Sequence, residues 1–137
     1  MLHCDMLITI DTSALLAVLV NESHKQVIIE HTKNSELQSP ESIDAEIGNA
    51  LSAMIKRERI SVSKAKQIIN QFDLVPLRRT PIRLKEALEL SEKFSIYAYD
   101  SYVLDCAKQY RIPLLSLDTR MIEVANELNI TVLEVSL

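Results

Sequence analysis

Leu7 to Ile10 is a short apolar run rich in Ile and Thr, which reads as a buried strand. Asp11-Thr12-Ser13 directly after it carries residue types that begin helices. Nothing before Met6 reads as structural, so Met6 is an alternative first residue. Helical periodicity resumes from Glu22 to Lys33. Pro40 then opens a helix with Ile43, Ile47, Ala50, Leu51, Met54 and Ile55 on one face. Ser61 caps a further helix whose apolar face is Val62, Ala65, Ile68, Ile69 and Phe72, and Leu74 to Leu77 reads as a strand. After Pro81, Leu84, Ala87, Leu88, Ser91 and Phe94 outline one helix, and Tyr99, Val103, Cys106, Ala107 and Tyr110 outline the next. Pro113 to Leu117 is a second apolar strand. Asp118 starts a helix with Met121, Val124, Ala125 and Leu128 facing inward, and Ile130 to Val135 closes the chain as a strand.

Strands separated by helices imply parallel pairing, and nearly continuous apolar strands imply burial on both faces. The expected fold is therefore α/β, a three-layer α/β/α sandwich with a short parallel sheet, formed by all 137 residues as one domain. The longest apolar run, Ala14 to Val20, falls far short of the roughly 20 residues of a membrane span. With no basic stretch and apolar core at the start of the chain, the expected location is the cytoplasm. Cys4 and Cys106 form no CxxC, and His3, His24 and His31 lack the spacing of structural zinc ligands, so both cysteines read as reduced thiols.

Two acids follow strands directly. Asp11 and Asp118 would thus stand at carboxyl ends of parallel strands, the edge where open α/β sheets bind ligands. If those strands are neighbours where the strand order reverses, the two carboxylates flank one crevice. Glu46 lies about 95° and Asp100 about 75° from the centre of its helix's apolar stripe, border positions from which a carboxylate can reach a crevice. Asp105 lies about 145° from its stripe's centre, pointing to solvent and outside the site. Each acid also has an ordinary explanation: Asp11 and Asp118 are good helix caps, and Glu46 and Asp100 suit a solvated surface. Together, however, crowded carboxylates repel one another and call for a cation, and hard oxygen ligands with room for water and phosphate suit Mg2+ or Mn2+.

Other chemistries lose ground. Gly48 is the single glycine, so neither a P-loop nor a GxGxxG dinucleotide fingerprint exists. Its mid-helix position, about 1 kcal/mol worse than alanine, reads as a mark of tight packing. No GxSxG elbow occurs and the histidines all lie within the first 31 residues, which speaks against covalent hydrolase chemistry. A phosphatase of the strand-end aspartate type would want an acid where Ser13 stands. The net charge of -4 argues against a nucleic-acid partner, but its distribution does not. Lys56 to Lys85 holds nine basic residues and two acidic ones, or +7, leaving the rest of the chain at -11. That segment reads either as solvated helix faces or as an RNA track.

The residues resemble those of the PIN-domain ribonucleases, particularly the small VapC-like toxins of toxin/antitoxin pairs. The resemblance rests on Ile10-Asp11-Thr12-Ser13-Ala14-Leu15-Leu16-Ala17, on Pro40 followed by Glu46-Ile47-Gly48-Asn49-Ala50-Leu51, on Tyr99-Asp100-Ser101-Tyr102, and on Leu115-Ser116-Leu117-Asp118 after Pro113. It implies that Asp11, Glu46, Asp100 and Asp118 are the catalytic, metal-binding or water-positioning acids of an endoribonuclease dependent on Mg2+ (or Mn2+). It further implies a homodimer and an antitoxin protein whose basic side chain can enter the acidic pocket. Thr12 or Ser13 would orient Asp11 or a substrate phosphate, a role that helix capping explains equally well. Thr119-Arg120-Met121 offers no further acid or Asn after Asp118, which argues against a second metal. The alternative reading is a non-catalytic module of the same fold that binds protein or RNA.

Overall fold

The computed structural model describes residues 6–135. Its elements run β1 (Met6–Ile10), α1 (Thr12–Leu19), α2 (Lys25–Thr32), β2 (Ser35–Pro40), α3 (Ile43–Lys56), α4 (Val62–Asp73), β3 (Leu77–Thr80), α5 (Leu84–Phe94), α6 (Ala98–Tyr110), β4 (Leu114–Leu115) and α7 (Thr119–Glu127). The four strands pair in the order β3-β2-β1-β4, all parallel. Side-chain alternation along the strands divides the interior into two layers. Ile8, Ile10 and Leu115 pack with residues of α1, α2, α3 and α4, whereas Leu114 packs with residues of α5, α6 and α7. The architecture is the three-layer α/β/α sandwich expected from the sequence.

β1 and β4 are neighbours, with Ile10 opposite Leu115. The chain leaves β1 toward β2 and β3, then returns across the sheet to β4 on the other side. Their boundary is the point where strand order reverses, the crevice position of open parallel sheets.

Several elements differ from expectation. Pro40 ends β2 instead of opening a helix; α3 begins at Ile43 after Ser42. β2 has no apolar run because its buried positions are Gln38, Ser39 and Pro40. Gln38 Nε2 donates to Thr9 Oγ1 at 3.2 Å and Ser39 Oγ donates to the Ile10 carbonyl at 2.5 Å, so polar side chains tie β2 to β1. β3 starts at Leu77, three residues after the expected start, and Leu74 lies 82% exposed beyond α4. As an edge strand β3 tolerates Arg78 and Arg79, charges that also hinder unwanted pairing. The expected terminal strand reduces to one parallel bridge, Leu114 with Val132, flanked by Leu114 N–H to the Thr131 carbonyl (2.8 Å) and Leu133 N–H to the Leu114 carbonyl (2.9 Å).

The buried stripe of α5 is Ala87, Leu90 and Phe94, while Leu84 and Leu88 are exposed. On α6, Tyr99 and Tyr110 are exposed and Asp105 is buried, contrary to its expected solvent position. α6 lies between the sheet and α5, so more than one of its faces is covered. Arg83 donates to both Asp105 oxygens, at 2.9 and 2.6 Å, which gives the carboxylate its counter-charge. Gly48 is exposed, and a Cβ there would meet nothing within 4 Å, so tight packing inside the chain does not explain it.

The two bidentate arginine pairs should behave differently when broken. Arg79 holds Asp44 at 2.8 Å with both side chains well exposed, so Arg79→Ala should lower stability by at most about 1 kcal/mol. Arg83→Ala strands a buried carboxylate and should lower the urea midpoint further than Arg79→Ala does. Equal midpoints would show that Asp105 does not depend on its partner.

Candidate active site

All four acids singled out in the sequence stand at helix N-termini. Asp11 is the N-cap of α1 and Asp118 the N-cap of α7; Glu46 and Asp100 lie in the first turns of α3 and α6. The partial positive charge of a helix N-terminus favours a carboxylate at each of these positions. For Asp11 and Asp118, helix capping and a place in the candidate site thus coincide instead of competing.

Asp11 is only 3% exposed and heavily hydrogen-bonded. Its Oδ1 accepts from Ser13 Oγ at 2.7 Å and from the Ala14 N–H at 3.0 Å, and its Oδ2 accepts from Ser116 Oγ at 2.5 Å. Of the roughly four acceptor positions of a carboxylate, three are filled, and the one left over is on Oδ2. Ser116 also accepts from the Asp118 N–H at 3.0 Å, while Ser13 accepts from the Leu117 N–H at 2.9 Å. Two serines therefore lace the end of β1 to the segment that carries Asp118.

Glu46 is half-buried, with Thr12 Oγ1 donating to Oε1 at 3.1 Å and Ser42 Oγ to Oε2 at 2.8 Å. Thr12 thus orients Glu46, and Ser13 orients Asp11. Asp118 caps through Oδ1 to the Met121 N–H at 3.0 Å. Hydrophobic periodicity does not single out Ser42 or Ser116, although each precedes an acid by a suggestive interval: Ser42 four residues before Glu46 on one helix face, Ser116 two before Asp118.

A family model for the PIN domain matches residues 8–127. The chain belongs to the PIN domain family. A sequence search of curated proteins gives no match. Among solved structures, PAE2754 from Pyrobaculum aerophilum is similar over 88% of this chain and 86% of its own, with a TM-score of 0.68 and 20% identity. VapBC2 from Rickettsia felis, bound to a promoter DNA fragment, matches over 94% and 98% with a TM-score of 0.65 and 14% identity. VapC20 from Mycobacterium tuberculosis, a sarcin-ricin loop cleaving toxin, matches over 85% and 94% with a TM-score of 0.62 and 11% identity. At these identities the likeness is one of fold.

Electrostatics link the four acids of this PIN domain into a closed circuit. Asp11 and Asp118 repel, as do Asp118 and Asp100, Asp100 and Glu46, and Glu46 and Asp11. Burial pushes the Asp11 carboxyl above its ordinary 3.8, against the lowering effect of the Ser116, Ala14 and Ser13 hydrogen bonds. Burial also raises Glu46 and Asp100, with neighbouring carboxylates adding to the shift. Among the described residues no Lys, Arg or His pairs with any of the four. Nor do three His, Cys, Asp or Glu side chains there close into a metal cage. The donor set nevertheless fits Mg2+ or Mn2+, which bind through one or two carboxylates and retain several waters.

Carboxyls raised in the folded state make that state hold more protons than the unfolded one. Their favourable contribution is complete below the ordinary values of 3.8 and 4.5 and is lost as pH rises through the raised folded values. In EDTA at pH 7, Asp11→Asn should therefore melt at a higher temperature than the wild type, and the gap should shrink on acidification toward pH 4. A lower melting temperature for Asp11→Asn under those conditions would show that the Asp11 charge is stabilising.

Proposed function

We propose that the protein is a divalent-metal-dependent endoribonuclease, the toxin of a toxin/antitoxin pair. The observation that carries this reading is the circuit of four acids, unpaired with any cation among the described residues, at four helix N-termini beside the β1/β4 crevice. PIN-domain membership supports it, and so do the folds of a sarcin-ricin loop cleaving toxin and of VapBC2. Asp11 Oδ2, Asp100 and the free oxygen of Asp118 would hold Mg2+ or Mn2+. Such an ion supplies Lewis acidity that neutralises charge building on the scissile phosphate and makes water more acidic. Glu46, fixed by Thr12 and Ser42 and with its carboxyl raised, orients the attacking water and takes its proton. Ser116 holds Asp11 and the Asp118 backbone at a fixed separation, so it positions both ligands.

The basic segment contributes less to RNA binding than its charge implies. Arg79 and Arg83 are committed to Asp44 and Asp105, and Arg78 lies 6.0 Å from the Tyr110 ring centroid. Lys56 ends α3 ten residues after Glu46, about 15 Å along the axis. RNA held there would cross the length of α3 to reach the acids. A homodimer and an antitoxin complete the proposal; exposed Leu84 and Leu88 on α5 offer apolar surface for such contacts. No helix among the described residues is long and apolar enough to cross a membrane.

Purified wild type should cut RNA with Mg2+ and stop in EDTA, while Asp11→Asn and Asp100→Asn should lose roughly a hundredfold or more of the rate. Cleavage that survives both substitutions refutes the assignment, and a protein that takes up neither Mg2+ nor Mn2+ is a binding module. Ser116→Ala should weaken Mn2+ binding and cleavage by about 10- to 100-fold, with Ser116→Thr close to wild type. Unchanged Mn2+ affinity in Ser116→Ala would remove its positioning role.

A further inference from the structure

Aromatic residues are few in this chain and unevenly placed. Both phenylalanines are buried, Phe72 at 3% and Phe94 at 8% exposure. Three of the four tyrosines, Tyr97, Tyr99 and Tyr102, surround Asp100 in sequence. Tyr97 is 86% exposed and Tyr99 43%, with the Tyr99 and Tyr102 rings edge to face at 6.0 Å.

Local structure does not account for Tyr97. It occupies the N-cap of α6, where Ser, Thr, Asp or Asn would hydrogen-bond the helix, and its side chain makes no capping bond. Nor is it core. The loop that carries it is nevertheless fixed to the site: Arg120, in the first turn of α7 just after Asp118, donates from Nη2 to the Phe94 carbonyl at 2.9 Å. Ile96 in the same loop packs on the core layer of α5, α6 and α7. Tyr97 is thus an exposed ring three residues before Asp100, in a loop whose preceding residues Phe94 and Ile96 are tied to α7 and the core.

We infer that Tyr97 and Tyr99 form a base-stacking subsite that takes unpaired RNA nucleobases next to the scissile phosphate. The inference rests on the ribonuclease reading above. The acids repel the phosphate backbone, so affinity close to the site is best gained from contacts that carry no charge. A nucleobase stacked on a tyrosine face is such a contact, and it requires a base released from a duplex.

The chain has no tryptophan, so its intrinsic fluorescence comes from tyrosine alone. The test uses a short dye-labelled unstructured RNA and a blunt RNA duplex of equal length, with Ca2+ in place of Mg2+. Binding is read by anisotropy and stacking by quenching of tyrosine emission. Wild type should bind the unstructured RNA with quenching, Tyr97→Ala/Tyr99→Ala should bind it about tenfold or more weakly, and duplex binding should not change. Tyr97→Phe/Tyr99→Phe should keep the affinity and lose most of the quench. Equal affinity of the alanine variant for unstructured RNA overturns the subsite alone. A wild type that binds neither RNA overturns the ribonuclease reading and the subsite with it. An alanine variant with altered sedimentation mass and unaltered RNA affinity makes the tyrosines a protein interface, which also overturns the subsite.

Discussion

Mutual repulsion among four carboxylates is the constraint around which this domain is arranged. Bringing these acids together opposes folding, because burial and like charge both disfavour the ionised forms of Asp11, Glu46 and Asp100. The fold offsets this by aiming the N-terminal ends of α1, α3, α6 and α7 at the same edge of the sheet. Hydroxyls complete the support: Ser13 and Ser116 donate to Asp11, and Thr12 and Ser42 donate to Glu46. The parallel order β3-β2-β1-β4 makes this possible for α1, α3 and α7, which each follow a strand whose carboxyl end lies on that side, while α6 follows α5.

Those parts of the site that lie on apolar strands are legible in the sequence. β1 announces itself through Leu7 to Ile10 and β4 through Leu114 and Leu115, so hydrophobic patterning alone places the acids after them at strand ends. The strand adjacency that a single crevice requires is present, with Ile10 opposite Leu115. β2 is illegible because its interior positions are Gln38 and Ser39, whose burial depends on hydrogen bonds to β1 that no periodicity reveals. Asp105 misleads for a related reason. A helix covered on more than one face can bury a carboxylate opposite its apolar stripe, provided a residue distant in sequence, here Arg83, comes to meet it.

Side-chain hydroxyls are the other hidden component. Ser116 and Ser42 look like ordinary polar residues until the strands are assembled, whereupon each is found to hold an acid. The charge asymmetry along the chain is real but divided in its use. Part of the basic segment stabilises the fold through Asp44, Asp105 and the rings of Phe72 and Tyr110. Under the proposed ribonuclease reading, the tyrosines around Asp100 are the more direct contact for RNA.

The central proposal is that Asp11, Asp100 and Asp118 hold one divalent cation, with Glu46 beside it. Anomalous diffraction from crystals grown with Mn2+ addresses it without reliance on activity. A single peak beside Asp11 Oδ2, Asp100 and Asp118 is the expected result. A peak elsewhere, or none while the acids stay in place, would contradict it.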